Sequence, residues 1–150
     1  MVSRVVGLVG FVLIVAAAGV KADTYYVGDQ LGWRVPPLGD IAYKTWAAEK
    51  SFNFGDTAVF NWTGTHTVAE VSKTDYDNCT STSPIGTIQT VSPFNVTLNT
   101  NSSRYFICTI SNHCHLGQKV TLGIGSASSL AIHGLSLALS ALAFAFLNHS

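Results

Sequence analysis

The run from Tyr105 to Val120, Tyr-Phe-Ile-Cys-Thr-Ile-Ser-Asn-His-Cys-His-Leu-Gly-Gln-Lys-Val, constrains the chain more than any other stretch. It opens as an apolar strand ending at Cys108 and passes through a short loop carrying His113, Cys114, His115 and Gln118. It then returns to alternation in Lys119-Val120-Thr121-Leu122. A thiol, an imidazole and an amide oxygen therefore share one hairpin-like turn. This is a metal-site spacing that lacks only a second imidazole, so the fold has to bring a distant histidine to this loop. His66, at the edge of the strand pair Val59–Trp62 and Thr67–Val71, is the remaining histidine that a central domain can supply.

The ends of the chain bound that domain. Of 150 residues 47% are hydrophobic, and they are concentrated at both termini. Residues 1–22 carry an early Arg4, an apolar stretch from Val5 to Val20, and Val20-Lys21-Ala22 at the positions a signal peptidase reads, which predicts a secretory signal peptide removed before Asp23. From Leu130 to Leu147 the chain is apolar apart from His133 and serines, with no basic residue after it to hold a spanning helix. Small residues Ser126-Ala127-Ser128 precede this tail, so residues 126–150 read as a glycosylphosphatidylinositol (GPI) attachment signal with Ser126 as the attachment residue, although the polar spacer is shorter than the usual roughly 8–12 residues. What remains, 23–125, is large enough for one modest core. All eight acidic residues lie in it while Arg4 and Lys21 do not, so it is mildly acidic and has no basic run for nucleic acid.

Within 23–125 short alternating or β-branched segments are separated by turn residues, the pattern of an antiparallel sandwich. Expected strands are Thr24–Val27, Ile41–Trp46, Thr57–Trp62, His66–Val71, Ile85–Val91, Phe94–Leu98, Tyr105–Cys108 and Lys119–Ile124. Gly32-Trp33 and Val35-Pro36-Pro37 form an irregular connection, and Lys73–Asn78 can hold one helical turn before Cys79. No segment shows a convincing helical period, so the expected fold is all-β, a two-sheet Greek-key sandwich or barrel. Sequons occur at Asn61, Asn78, Asn95 and Asn101, of which Asn101, in a polar loop, is the best glycosylation candidate.

Three cysteines in a secreted domain leave one thiol unpaired, and metal ligation gives a leftover thiol a reason to survive oxidation. Cys79 and Cys114 sit in loops, whereas Cys108 ends an apolar strand that can hold its sulfur inward, so the expected disulfide is Cys79–Cys114. Two imidazoles, one thiolate and a weak fourth donor make the set used by blue copper electron-transfer sites, while zinc asks for a closed tetrahedron of stronger ligands. Gln118 can offer an amide oxygen as the axial donor; the chain's single methionine is Met1 and cannot. His115, one step past Cys114, competes with His66 as second imidazole but cannot readily converge with His113 and Cys108, and it reads as solvent-facing.

Cys108-x4-His113-Cys114-x3-Gln118, preceded by Tyr105-Phe106-Ile107, closely resembles the copper loop of the plant phytocyanins, of the stellacyanin-like type with an axial glutamine. The resemblance extends through Gly28-Asp29-x-x-Gly32-Trp33, Tyr43-x-x-Trp46, Phe52-x-Phe54-Gly55-Asp56 and Asp75-Tyr76-Asp77-x-Cys79. It implies a cupredoxin-like fold, one type 1 copper held by His66, Cys108, His113 and Gln118, and a Cys79–Cys114 disulfide. It also implies single-electron transfer at the outer face of the plasma membrane or the cell wall, by a lipid-anchored, monomeric protein that is not an enzyme and whose redox partner the sequence does not name. The polar loop Asn99–Arg104 departs from the family pattern, which tends to a glycine there. Early nodulin-like relatives that have lost the ligands are thought to act in surface recognition, the alternative reading; all four ligand positions are kept in this chain.

Overall fold

The computed structural model describes residues 21–125, so most of the expected signal peptide, the expected C-terminal attachment signal and Ser126 lie outside the described residues. Two three-stranded sheets face each other. In the first, β1 (Thr24–Tyr26) runs parallel to β2 (Thr57–Phe60), which pairs antiparallel with β4 (Phe94–Thr97). In the second, β5 (Arg104–Ile107) lies between β3 (Ala69–Val71) and β6 (Lys119–Leu122), antiparallel to both. The expected all-β sandwich is therefore present, with one parallel pair where antiparallel pairing was expected throughout. Parallel neighbours require a long crossover, and residues 27–56 supply it.

That crossover contains the main departure from the sequence reading. Ile41–Trp46, expected as a strand, is the start of the helix α1, Ile41–Ala48. Tyr43, Trp46 and Ala47 fall three and four residues apart, so one helical face meets the core, and Lys44 pairs with Asp40 one turn away on the solvent side. Tyr43 and Trp46, expected as core or rim aromatics, are core residues, but their spacing follows a period of 3.6 where a strand's period of 2 was expected. The Lys73–Asn78 turn is present as α2, capped by the Ser72 hydroxyl, which accepts from the Asp75 N–H. Ile85–Val91 forms no strand. Gly86 has a positive φ of 78°, Ile85 and Val91 are exposed, and the segment meets the sheet edge through an isolated bridge between Val68 and Gln89 and through the Ile85 N–H, which donates to the Glu70 carbonyl at 2.7 Å.

The core fills the space between the sheets. Trp33 packs edge-on to Phe60 with ring centroids 5.0 Å apart, Phe60 meets Phe106 at 5.2 Å, and Cys108 joins this cluster from the end of β5. Burying each such aromatic stabilises the fold by roughly 1.5–3 kcal/mol. A second cluster of Ala69, Val71, Tyr76, Ile107 and Cys114 lies beneath α2.

Tyr43 ties α1 to the irregular connection. Its hydroxyl accepts from the Arg34 N–H at 2.9 Å and stands 2.7 Å from the carbonyls of both Gly32 and Arg34, to one of which it donates its single proton. Burial, partly opposed by the Arg34 N–H bond, pushes the phenol up to about 12. The folded state thus retains a proton that the unfolded chain loses near pH 10, so Tyr43's contribution to stability is complete below pH 10 and is lost as pH rises towards 12. At about 1.4 kcal/mol per unit, denaturant titrations between pH 10 and 12 should show about 2–3 kcal/mol more loss in the native protein than in Tyr43→Phe. Parallel slopes would show that the phenol does not titrate in this way.

Candidate metal centre

The loop between β5 and β6 is built from its own backbone. The His113 N–H donates to the Ile110 carbonyl at 3.0 Å, the Gly117 N–H to Cys114 at 2.9 Å, and the Gln118 N–H to His113 at 2.9 Å. Cys108 and Gln118 close the loop at its neck, where the Cys108 N–H donates to the Gln118 carbonyl at 3.1 Å. The disulfide Cys79–Cys114 fastens this loop to the end of α2. Across a separation of 35 residues it constrains the unfolded chain by about 4 kcal/mol on the loop-entropy account. Cys108 is the remaining free thiol and is buried.

His66 approaches from the segment that leads into β3. One donor atom each from His66, Cys108 and His113 lie within 4.8 Å of one another. The Cys108 Sγ is 3.5 Å from His113 Nδ1, the two imidazole centroids are 5.0 Å apart, and His66 Nδ1 is 3.1 Å from Gln118 Oε1. His115, expected to face solvent, is exposed and outside this group. The asparagines of all four sequons are exposed as well.

Two features show that a metal fits here. Atoms that ligate one ion at about 2.0–2.3 Å stand roughly 3–4 Å apart, the range of these separations. Gln118 is fully buried, and its Nε2 has no hydrogen-bond partner among the described residues. An orphaned buried amide costs about 1–3 kcal/mol, which is unexplained by the protein's own contacts and intelligible where its oxygen serves a ligand. The His66 pKa is lowered, first by burial and then by the neighbouring His113, against the raising effect of the Gln118 bond. That shift favours the neutral imidazole, the form with a lone pair to offer. Two nitrogens, a thiolate sulfur and a weak amide oxygen form the donor chemistry of a type 1 copper site and a poor one for zinc.

Sequence reading missed two residues that shape this centre. Thr67 donates its N–H towards Cys108 Sγ at 3.5 Å, and its hydroxyl accepts from the Thr109 N–H at 2.8 Å. Its place directly after His66 was the available signal. Gly117 has a φ of 98°, and a Cβ there would stand 2.3 Å from the Asp40 nitrogen and 2.4 Å from the Gly39 carbonyl carbon. The ligand loop therefore rests directly on the backbone ahead of α1.

A β-sandwich in which the loop between its last two strands carries cysteine and histidine donors, and a separate strand edge brings a second histidine, defines a cupredoxin. Comparison with known proteins narrows the class. A plastocyanin-like domain family model matches residues 33–118. The chain is 40% identical over 119 residues to a blue copper protein of Arabidopsis thaliana, covering 79% of this chain and 60% of that protein. It is 39% identical over 102 residues to stellacyanin of Toxicodendron vernicifluum, covering 67% of this chain and 94% of that one. The solved structure of cucumber stellacyanin with Cu2+ at pH 7.0 matches with a TM-score of 0.63 and 33% identity, over 72% of this chain and 99% of that chain. The chain belongs to the phytocyanins, within the plastocyanin-like family, and is of their stellacyanin-like type.

Gly117→Ala should lower stability by at least about 2 kcal/mol, because both the positive φ and the contact with Asp40 oppose a side chain. An unchanged denaturation midpoint would show that the loop does not bear on Gly39 and Asp40.

Proposed function

We propose that the protein binds one copper ion through His66, Cys108, His113 and Gln118 and carries single electrons on the outer face of the plasma membrane. The observation that carries this reading is the convergence of two imidazoles and a buried free thiol beside a buried glutamine whose amide nitrogen has no partner among the described residues. Bound copper would supply the one-electron couple. The chain's residues would supply a pocket in which little has to move. Thr67 and the Gln118–Cys108 backbone bond hold the sulfur, the disulfide holds the His113 loop, and burial keeps water from Cys108 and Gln118. His66 and His113 are half-buried, so their ring edges offer the route out. Four protein donors leave no position for substrate or dioxygen, which favours a carrier over an enzyme.

Asp23, the residue expected to follow signal cleavage, donates its N–H to the buried Asp56 carboxylate at 2.8 Å just ahead of β1. Cleavage before it would preserve that bond and place a new ammonium on the carboxylate. Among the described residues no helix is long and apolar enough to cross a membrane. Membrane attachment in this reading comes from a lipid at Ser126. Glycans would be carried at Asn101 and, where occupied, at Asn95, Asn61 and Asn78. The protein would act as a monomer with a redox partner on the cell-wall side and no affinity for nucleic acid.

Cupric ion added to the metal-free secreted protein should give an intense charge-transfer band at roughly 600 nm that Cys108→Ser lacks. A colourless native protein would sink the redox reading and leave surface recognition. Gln118→Met, which replaces a hard amide oxygen with a thioether, should raise the reduction potential by more than the ~59 mV that marks a tenfold shift in a one-electron equilibrium. A potential that stays put or falls would remove Gln118 from the axial role.

A further inference from the structure

Between the segment Leu31–Val35 and the turn Asn61–Thr63 lies a groove of about 450 Å³ that His66 also lines. Fully buried Trp33 contributes to its lining, half-buried Leu31, Val35 and Trp62 add apolar surface, and Arg34 stands exposed on it. The Arg34 main chain is fixed, since its N–H donates to the Tyr43 hydroxyl at 2.9 Å and its carbonyl lies 2.7 Å from the same oxygen. Its guanidinium nevertheless has neither an ion pair nor a hydrogen bond among the described residues. Arg104, by contrast, is engaged by both Glu70 oxygens and the Thr97 carbonyl. Asn61 accepts from the Ser92 hydroxyl through Oδ1, which leaves its amide NH2 without a partner among the described residues.

We propose that this groove binds a small planar aromatic carboxylate, with its ring against Trp62 and its carboxylate on Arg34. A guanidinium on a fixed backbone matches a carboxylate through two parallel hydrogen bonds, and an indole face accepts a flat conjugated ring. The volume suits a ligand of one or two rings. A neutral sugar could stack on Trp62 but would leave the cation unused. A phosphate would use the cation and none of the apolar walls. The free amide of Asn61 and the Thr63 hydroxyl can meet a ring hydroxyl, so a hydroxycinnamate is the simplest member of the class. Because a proposed copper ligand lines the same groove, a hydroxycinnamate bound there would serve that site as a one-electron donor, its phenol losing one electron to cupric copper and its proton to solvent to leave a phenoxyl radical. That role rests on the copper reading, whereas the binding itself does not.

The test uses the protein as plant cells secrete it, stripped of metal, titrated calorimetrically with 4-hydroxycinnamate and with 4-hydroxycinnamyl alcohol as the probe lacking the carboxylate. One saturable site per chain is expected, weakened about tenfold or more by Arg34→Gln, by Trp62→Leu and by loss of the carboxylate from the probe, while Lys50→Gln leaves it unchanged. Should Trp62→Leu fail to fold, the Arg34 variant and the alcohol probe decide the matter. No saturable heat up to millimolar ligand, or equal binding by Arg34→Gln, overturns the proposal. So does a glycan on Asn61 whose enzymatic release is needed before binding appears, since the groove would then be the bed of that glycan. A blue copper spectrum without binding sinks only this proposal, and binding without the spectrum sinks only the redox role.

Discussion

Thr67 joins the parts of the chain that have to meet for the metal centre to exist. Its N–H points at the Cys108 sulfur, its hydroxyl takes the Thr109 N–H and pairs with the Thr109 hydroxyl at 2.8 Å, and its carbonyl receives the buried Trp33 Nε1–H at 2.9 Å. The residue before it is His66 and the residue before Thr109 is Cys108. The bonds therefore lock the histidine segment to the cysteine segment at the ligands themselves, and the indole locks both to the core. In a buried setting such a network is stronger than the same bonds in water, and each bond lost strands a polar group. The centre's geometry thus follows from a cross-link between the ends of two neighbouring strands of one sheet, and the loop alone could not produce it.

The loop supplies the remaining order by being short of alternatives. From Cys108 to Gln118 five of its N–H groups are satisfied by its own carbonyls, and the disulfide removes most of the freedom left. Gly117 lets it turn while lying against Gly39 and Asp40 with no room for a side chain. His113 is thereby held by two backbone hydrogen bonds, its N–H to the Ile110 carbonyl and its carbonyl from the Gln118 N–H, and by the disulfide at the residue that follows it. A centre that changes oxidation state with little rearrangement needs such redundancy.

Most of this was legible where a residue's chemistry and its position in the chain gave the same message. Alternation from Thr57 to Trp62 and the apolar run from Tyr105 to Cys108 mark the strands β2 and β5, and the loop position of Cys79 and Cys114 against the strand position of Cys108 identifies the disulfide that is observed. Tyr43 and Trp46 were legible as core residues and illegible as a helix. Eight residues with two aromatics and three alanines carry too short a pattern to separate a period of 3.6 from a period of 2. Ile85–Val91 has strand composition and lacks a strand's neighbours, since only Gln89 and Ile85 reach the edge of the second sheet. Pairing depends on what the rest of the fold places alongside, and composition does not report that. Thr67 and Gly117 stayed hidden because their importance lies in contacts with Thr109, Trp33 and Asp40, which are far from them in sequence or act through the backbone.

Burial then separates the donors into two kinds. Cys108 and Gln118 are 1% and 0% exposed, so neither can touch a partner, and whatever reaches the centre does so through an imidazole. The two imidazoles open onto different surroundings. His113 sits in the tight loop beside exposed Asn112, His115 and Leu116. His66 lines a concavity with an aromatic wall and with exposed Arg34, whose guanidinium has no partner among the described residues, the surface proposed above for a small anion. Under the proposed copper reading, one buried centre with two half-buried edges would present different surfaces to different classes of partner without any change in its ligands. Arg34 and Trp62 would set the difference on one side and the disulfide-held loop on the other.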